Sequence, residues 1–191
     1  MRETLMCAAL VLAGLAWTPV ARAQFNDENL RQVLPPGFKI GFKSERPGLT
    51  MTEDVPDGQT VKDWSEMITT QVFLGRKSAD PSAFLSGVRS RWLAACPGSV
   101  EPTIHTGNAN GYPVSMMLLG CPLNPATGKP EVALMRGIAG ADSFYLIQYA
   151  WRSAPTQEQV NAATRYLGTV NACDTRTPAH PCADLKGFAP R

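Results

Sequence analysis

Along residues 37–45, GFKIGFKSE, the apolar residues Phe38, Ile40 and Phe42 alternate with Lys39, Gly41 and Lys43. A period of two sends successive side chains to opposite faces, so the stretch predicts a strand with one face buried. Residues 49–55, LTMTEDV, predict its partner across the turn SERPG, and Pro56, Asp57 and Gly58 supply the next tight turn. In TVKDWSEMITTQVFL, Asp63 to Glu66 suit a helix start, but Ile68, Thr69, Thr70, Val72 and Phe73 form a β-branched and aromatic cluster. That cluster predicts a strand over 65–74, preceded by a turn from Thr60 to Trp64. Upstream, DENLRQVL at 27–34 predicts a short helix ending before Pro35 and Pro36.

The pattern then changes period. Asp80 is placed to cap, Pro81 suits a first helical position, and Phe84, Val88, Trp92 and Ala95 recur at helical spacing until Pro97 and Gly98 stop the helix. Two hairpins follow. SVEPTIHT and YPVSMMLLGC flank the loop GNANG, whose residues tolerate positive φ. PEVALMRGIA and SFYLIQYAWRS flank Gly140-Ala141-Asp142, a pairing that predicts Ala133, Met135 and Gly137 on one face with Tyr145, Ile147, Tyr149 and Trp151. Val132, Leu134, Ile138, Phe144 and Leu146 make the opposite face apolar too, so this hairpin is predicted to be central and covered on both sides. A last helix opens at Pro155 and Thr156, with Gln159 completing a capping box and Val160, Ala163, Thr164, Leu167 and Val170 as its inner side. The order predicts an α+β fold: an antiparallel sheet of about six to seven strands with two main helices packed on it, and two disulfides.

The N-terminus and the cysteines change the picture from fold to location. Residues 1–23 have a basic residue near the start, an apolar run from Leu5 to Trp17, Pro19, and Ala21-Arg22-Ala23. That is the order of a secretory leader cleaved after Ala23, and the apolar run falls short of the roughly 20 residues a membrane span needs. The alternative is an uncleaved N-terminal anchor. Cleavage predicts one α+β domain over 24–191 with a disulfide-closed C-terminal tail, periplasmic or secreted, with no integral membrane segment. Losing Arg2, Arg22 and Glu3 moves the formal charge from +2 to about +1. A balance this near neutral gives no footprint for nucleic acid, and the basic pairs at Arg76-Lys77 and Arg89/Arg91 read as solvated surface.

Four cysteines follow the leader: Cys96, Cys121, Cys173 and Cys182. In an oxidising compartment they read as two disulfides. Three connectivities are open, and locality favours Cys96–Cys121 with Cys173–Cys182. The second would hold a proline-containing loop that burial alone does not hold, a constraint worth roughly 2–3 kcal/mol. The competing reading of CDTRTPAHPC is a metal knuckle of Cys173, His180 and Cys182 with Asp174, which lacks a good fourth ligand. Met116, Met117 and Cys121 as soft copper ligands fail because neighbouring strand residues face opposite ways.

The stretch TMTEDVPDGQTVKDWSEMITTQVF, a strand, a turn with Pro56 and Gly58, Trp64 and a second strand from Glu66-Met67-Ile68-Thr69, resembles segments of exported bacterial proteins of uncharacterised function. Its element order is similar to the small PsbP/Mog1-like α+β domains. That resemblance implies a binding or assembly role and carries no catalytic residue with it.

Chemistry is sparse. Neither G-x-x-x-x-G-K-S/T nor G-x-G-x-x-G nor G-x-S-x-G occurs. His105 and His180 are the two histidines; His105 sits on a predicted strand, facing outward. Glu53, Asp54 and Asp57 cluster without the spacing of a calcium loop and read as a solvated turn. No cofactor and no catalytic or metal residue is expected. The expected function is a non-catalytic binding or assembly module for a protein or an envelope component. Its candidate contact surface is Lys62, Asp63 and Trp64, where Trp64 is either an aromatic anchor or a plug between sheet and helix. The alternatives are an extracytoplasmic hydrolase using a carboxylate pair and a metal-binding protein.

Overall fold

A computed structural model describes residues 27–77 and 79–182, so the leader reading and the tail after Cys182 lie outside the described residues. The chain runs β1 (Glu28–Arg31), β2 (Phe38–Arg46), β3 (Leu49–Pro56), β4 (Glu66–Leu74), α1 (Pro81–Ala95), β5 (His105–Ala109), β6 (Tyr112–Asn124), β7 (Lys129–Ala139), β8 (Ser143–Trp151), α2 (Gln157–Thr169) and β9 (Asn171–Asp174). Seven strands form one antiparallel sheet in the order β2-β3-β4-β8-β7-β6-β5, and β1 pairs with β9 as a separate two-stranded ribbon. The fold is the α+β architecture expected.

β8 lies in the middle of the sheet, and its alternation divides the core in two. Phe144, Leu146 and Ala150 face α1, where Phe84 stacks on Phe144 with ring centroids 4.4 Å apart and Leu85 is fully buried. Tyr145, Ile147, Tyr149 and Trp151 face α2, against Ala163 and Leu167. Both helices start on the residues the spacing picked out. The Asp80 carboxylate accepts from the Ser82 amide at 2.8 Å, and Thr156 and Gln159 close a capping box. At the far end of α2, the buried Arg136 of β7 donates to the Leu167 carbonyl and, at 3.1 Å, to Asn171 Oδ1. A cation is favourable at that end because the last carbonyls carry partial negative charge, although burial lowers the Arg136 pKa.

Several expectations need correction. Residues 28–31 form a strand, not a helix, because β1 finds long-range partners in β9 that outweigh local propensity. β2 has no buried face: it is the outermost strand, and a bulge between Ile40 and Phe42 shifts its register, so Ile40 and Phe42 remain 49% and 43% exposed. In the β7–β8 hairpin Ala133 pairs with Ala150 and Leu134 with Tyr149, so Ala133, Met135 and Gly137 share their face with Phe144, Leu146 and Gln148 rather than with the tyrosines. A one-residue slip in register exchanges every side chain between faces. Lastly, Glu53 and Asp54 belong to β3 rather than to a solvated turn, and Asp54 is fully buried. The β5–β6 turn is also tighter than expected, closing on Asn110 and Gly111 with φ of 50° and 80°.

Candidate functional site

A polar cluster lies at the end of the sheet where β6 begins, β7 ends and β8 starts. The β1–β9 ribbon brings Glu28 there. Its carboxylate accepts from the amides of Ala141, Asp142 (3.1 Å) and Ser143 (3.0 Å), and from the Tyr145 hydroxyl at 2.9 Å. Glycine at 140 admits this carboxylate: a Cβ there would lie 2.2 Å from Glu28 Oε1 and would displace it. Burial first, and then the Glu28 charge, push the Tyr145 phenol well above its ordinary pKa. The nearby Tyr112 hydroxyl is buried and makes no well-aligned hydrogen bond among the described residues, though Glu28 is close; burial first, then Glu28 and Asp174, raise its pKa too.

Beside this pocket Arg176 holds Asp174 at 2.6 Å, Asp142 at 2.5 Å and Asp27 at 3.8 Å. Hydrogen bonds from Arg176 keep the Asp174 carboxyl below the usual carboxylate range. The segment CDTRTPAHPC is closed by a Cys173–Cys182 disulfide, and Cys96 pairs with Cys121, the local connectivity expected. No thiolate is left at 173 or 182 to bind a metal. His180 instead stacks on Tyr112 with centroids 3.9 Å apart, and its Nδ1 lies 2.9 Å from the Asn110 carbonyl. A carbonyl only accepts, so Nδ1 carries the proton. Gly111 must be glycine beneath this ring, a Cβ there falling 2.6 Å from Nδ1. A cleft of about 450 Å³ opens alongside, lined by Pro81, Tyr112, Ala139, Gly140 and His180.

The turn expected to make contacts is divided. Trp64 is 8% exposed, belongs to the α1-side core and carries the Arg152 guanidinium 4.4 Å above its ring. Lys62 and Asp63 stay at the surface, Asp63 with Lys129 at 3.7 Å. At the opposite edge a groove of about 390 Å³ runs past Val100, Pro102, Leu118 and Pro122, and Val100 is 82% exposed. His105 is exposed at the start of β5, where it lines a neighbouring hollow with Met116.

No family model matches the chain, and no curated protein matches it by sequence. Solved structures resemble it in fold. The Saccharomyces cerevisiae Ran-binding protein Mog1p is 16% identical, over 74% of this chain and 84% of that one, with a TM-score of 0.44. LpqN, involved in cell envelope biogenesis of Mycobacterium tuberculosis, is 10% identical over 82% and 89%, with a TM-score of 0.42. At these values the likeness is one of fold-level resemblance alone.

Sequence reasoning passed over Glu28, Asp142, Tyr145 and Arg176. Glu28 lies 113 or more positions from each group it binds, so no local spacing marks it. Gly140 gave no signal in the sequence, because a glycine in a hairpin reads as serving the turn; only the structure shows that its φ is not positive and that it makes room for Glu28.

Proposed function

We propose that the protein is exported after removal of residues 1–23 and that residues 24–191 act outside the cytoplasm as one non-catalytic binding or assembly domain. The observation that carries this reading is that the polar cluster at the sheet end is closed on itself: Glu28 is saturated by four donors and Arg176 is shared among three aspartates. Groups so engaged hold the fold; they are not poised to move protons. The exported part is supported by the two disulfides, which persist in oxidising compartments. Open contact surface lies instead at the sheet edges, at Ile40, Phe42, Val100 and Leu118, with Lys62 and Asp63 of the expected surface beside β2.

A hydrolase using a carboxylate pair would draw on Glu53, an acid whose pKa burial raises. Its cross-strand neighbours are Phe42 and Thr69, neither of them a second acid.

Site-specific photo-crosslinking in exporting cells tests the reading, with the reactive side chain at Phe42, Lys62, Val100 and, as a control, Glu158 on α2. A single recurrent adduct from one surface, absent at Glu158, on a chain beginning at Gln24, is the expected result. Equal labelling at all four positions, or a chain retaining residues 1–23 as its mature form, would sink it.

A further inference from the structure

The two edges of the sheet are built differently. β5 is the short polar run HTGNA, whereas β2 runs from Phe38 to Arg46 and leaves Lys39 to Lys43, Glu45 and Arg46 exposed. One side of the β2 backbone is bonded to β3. Among the described residues no strand pairs with its other side, and no backbone bond from a turn or loop reaches residues 39–46. The bulge is anchored at Gly41, where a Cβ would stand 2.9 Å from Val61 Cγ1 and 3.1 Å from Val55 Cγ2, so the turn holding Lys62 lies against the strand. Beyond the bulge, Phe42–Arg46 pairs regularly with Leu49–Glu53 and offers an uninterrupted outer ladder.

Charge and apolar area decide what fits there. Lys43 is engaged with Glu45 at 2.8 Å, while Lys39, Arg46 and Lys62 have no ion pair among the described residues. Lysines and a bulge on an edge strand guard against indiscriminate pairing, and two copies of β2 would bring cations together. An extended acidic chain meets no such penalty, and its backbone supplies the donors and acceptors an open ladder lacks. The nearly half-exposed Phe42 adds apolar contact that a purely defensive edge would not retain.

We propose that the outer edge of β2 over Phe42–Arg46 receives an extended acidic segment of a partner protein by strand addition, with Lys39, Arg46 and Lys62 facing its carboxylates and Phe42 an apolar side chain. This rests on the binding-module reading and names the partner's chemistry.

The test uses the full exported chain, isotope-labelled, titrated with a capped Glu–Val peptide repeating Glu-Val-Thr, which sets Glu and Val on the same strand face, and with the Lys–Val counterpart in which Lys replaces Glu. The Glu–Val peptide is expected to move the amides of residues 42–46 saturably, to weaken as salt is added, and to bind about tenfold or more tighter than Lys–Val. Reversing the exposed charges, Lys39→Glu, Arg46→Glu and Lys62→Glu together, is expected to invert that preference without unfolding the protein. Equal binding of the two peptides, shifts confined to the groove beside Val100, or no saturable shift with either peptide overturns the inference. In each of those cases the crosslinking result still judges the module reading separately.

Discussion

Glu28 shows how much one side chain can hold when its partners come from across the chain. Its carboxylate gathers three consecutive amides and a phenol at the β7–β8 turn, and Gly140 is the residue whose bareness lets it approach. Glu28→Ala strands those donors and is expected to cost about 2–4 kcal/mol in urea unfolding. Gly140→Ala evicts the same carboxylate, so the double variant is expected to lose much less than the sum of the two, a double-mutant cycle being the check. The tyrosines set an alkaline limit. Burial, with Glu28 at Tyr145 and Glu66 at Tyr149, raises both phenols. Their contribution is intact below the unfolded value of about 10 and is lost as pH rises beyond it. Tyr145→Phe is therefore expected to flatten the fall in urea midpoint above about pH 10. None of these roles was legible locally, whereas the caps at Asp80 and Thr156 were, because a cap binds amides two or three residues away.

At the scale of elements, the two disulfides do different work. Cys96 and Cys121 are both 3% exposed and tie the end of α1 to β6 within the core. Cys182 is only half-buried, in a loop also held by His180 on Tyr112, Asn110 on Pro181, the Asp174 amide on the His180 carbonyl, the Thr175 amide on the Asp27 carbonyl, and Arg176 on its aspartates. A dithiol under native conditions is expected to open Cys173–Cys182 first, with Cys96–Cys121 protected until global unfolding. Differential alkylation and mass spectrometry read the order, and faster amide exchange at 28–31 and 141–143 is the expected consequence, since β9 carries β1. Acid acts on the same ribbon: the Arg176–Asp174 pairing holds above about pH 4 and is lost as the pH falls through the depressed Asp174 value. The sequence pattern reached α1, α2 and the central hairpin as elements, since their periodicities are long. It missed β1 and β9, four residues each, too short for a period to show.

For the whole molecule, the sheet ends in an edge strand carrying Lys39, Lys43 and Arg46, whose like charges disfavour pairing with a second copy. Replacing Lys39, Lys43 and Arg46 with valine removes that repulsion and leaves a longer apolar edge. The variant is expected to self-associate at concentrations where the parent elutes unchanged on size exclusion, and to do so independently of salt. A variant as monodisperse as the parent would show that the bulge at Gly41 alone protects the edge.

Periodicity and turn residues by themselves determined the α+β class, both helices with their caps and most of the strands, because each depends on neighbours within a few residues; the cysteine positions favoured the local disulfide pairing, which the structure then selected from three. Tertiary structure alone decided which face of the β7–β8 hairpin meets which helix, that β2 is an edge, that Trp64 enters the core, and that Glu28 closes the sheet end. Those outcomes depend on register and strand order, and a single residue of register or one place in strand order reverses them while the local pattern stays the same.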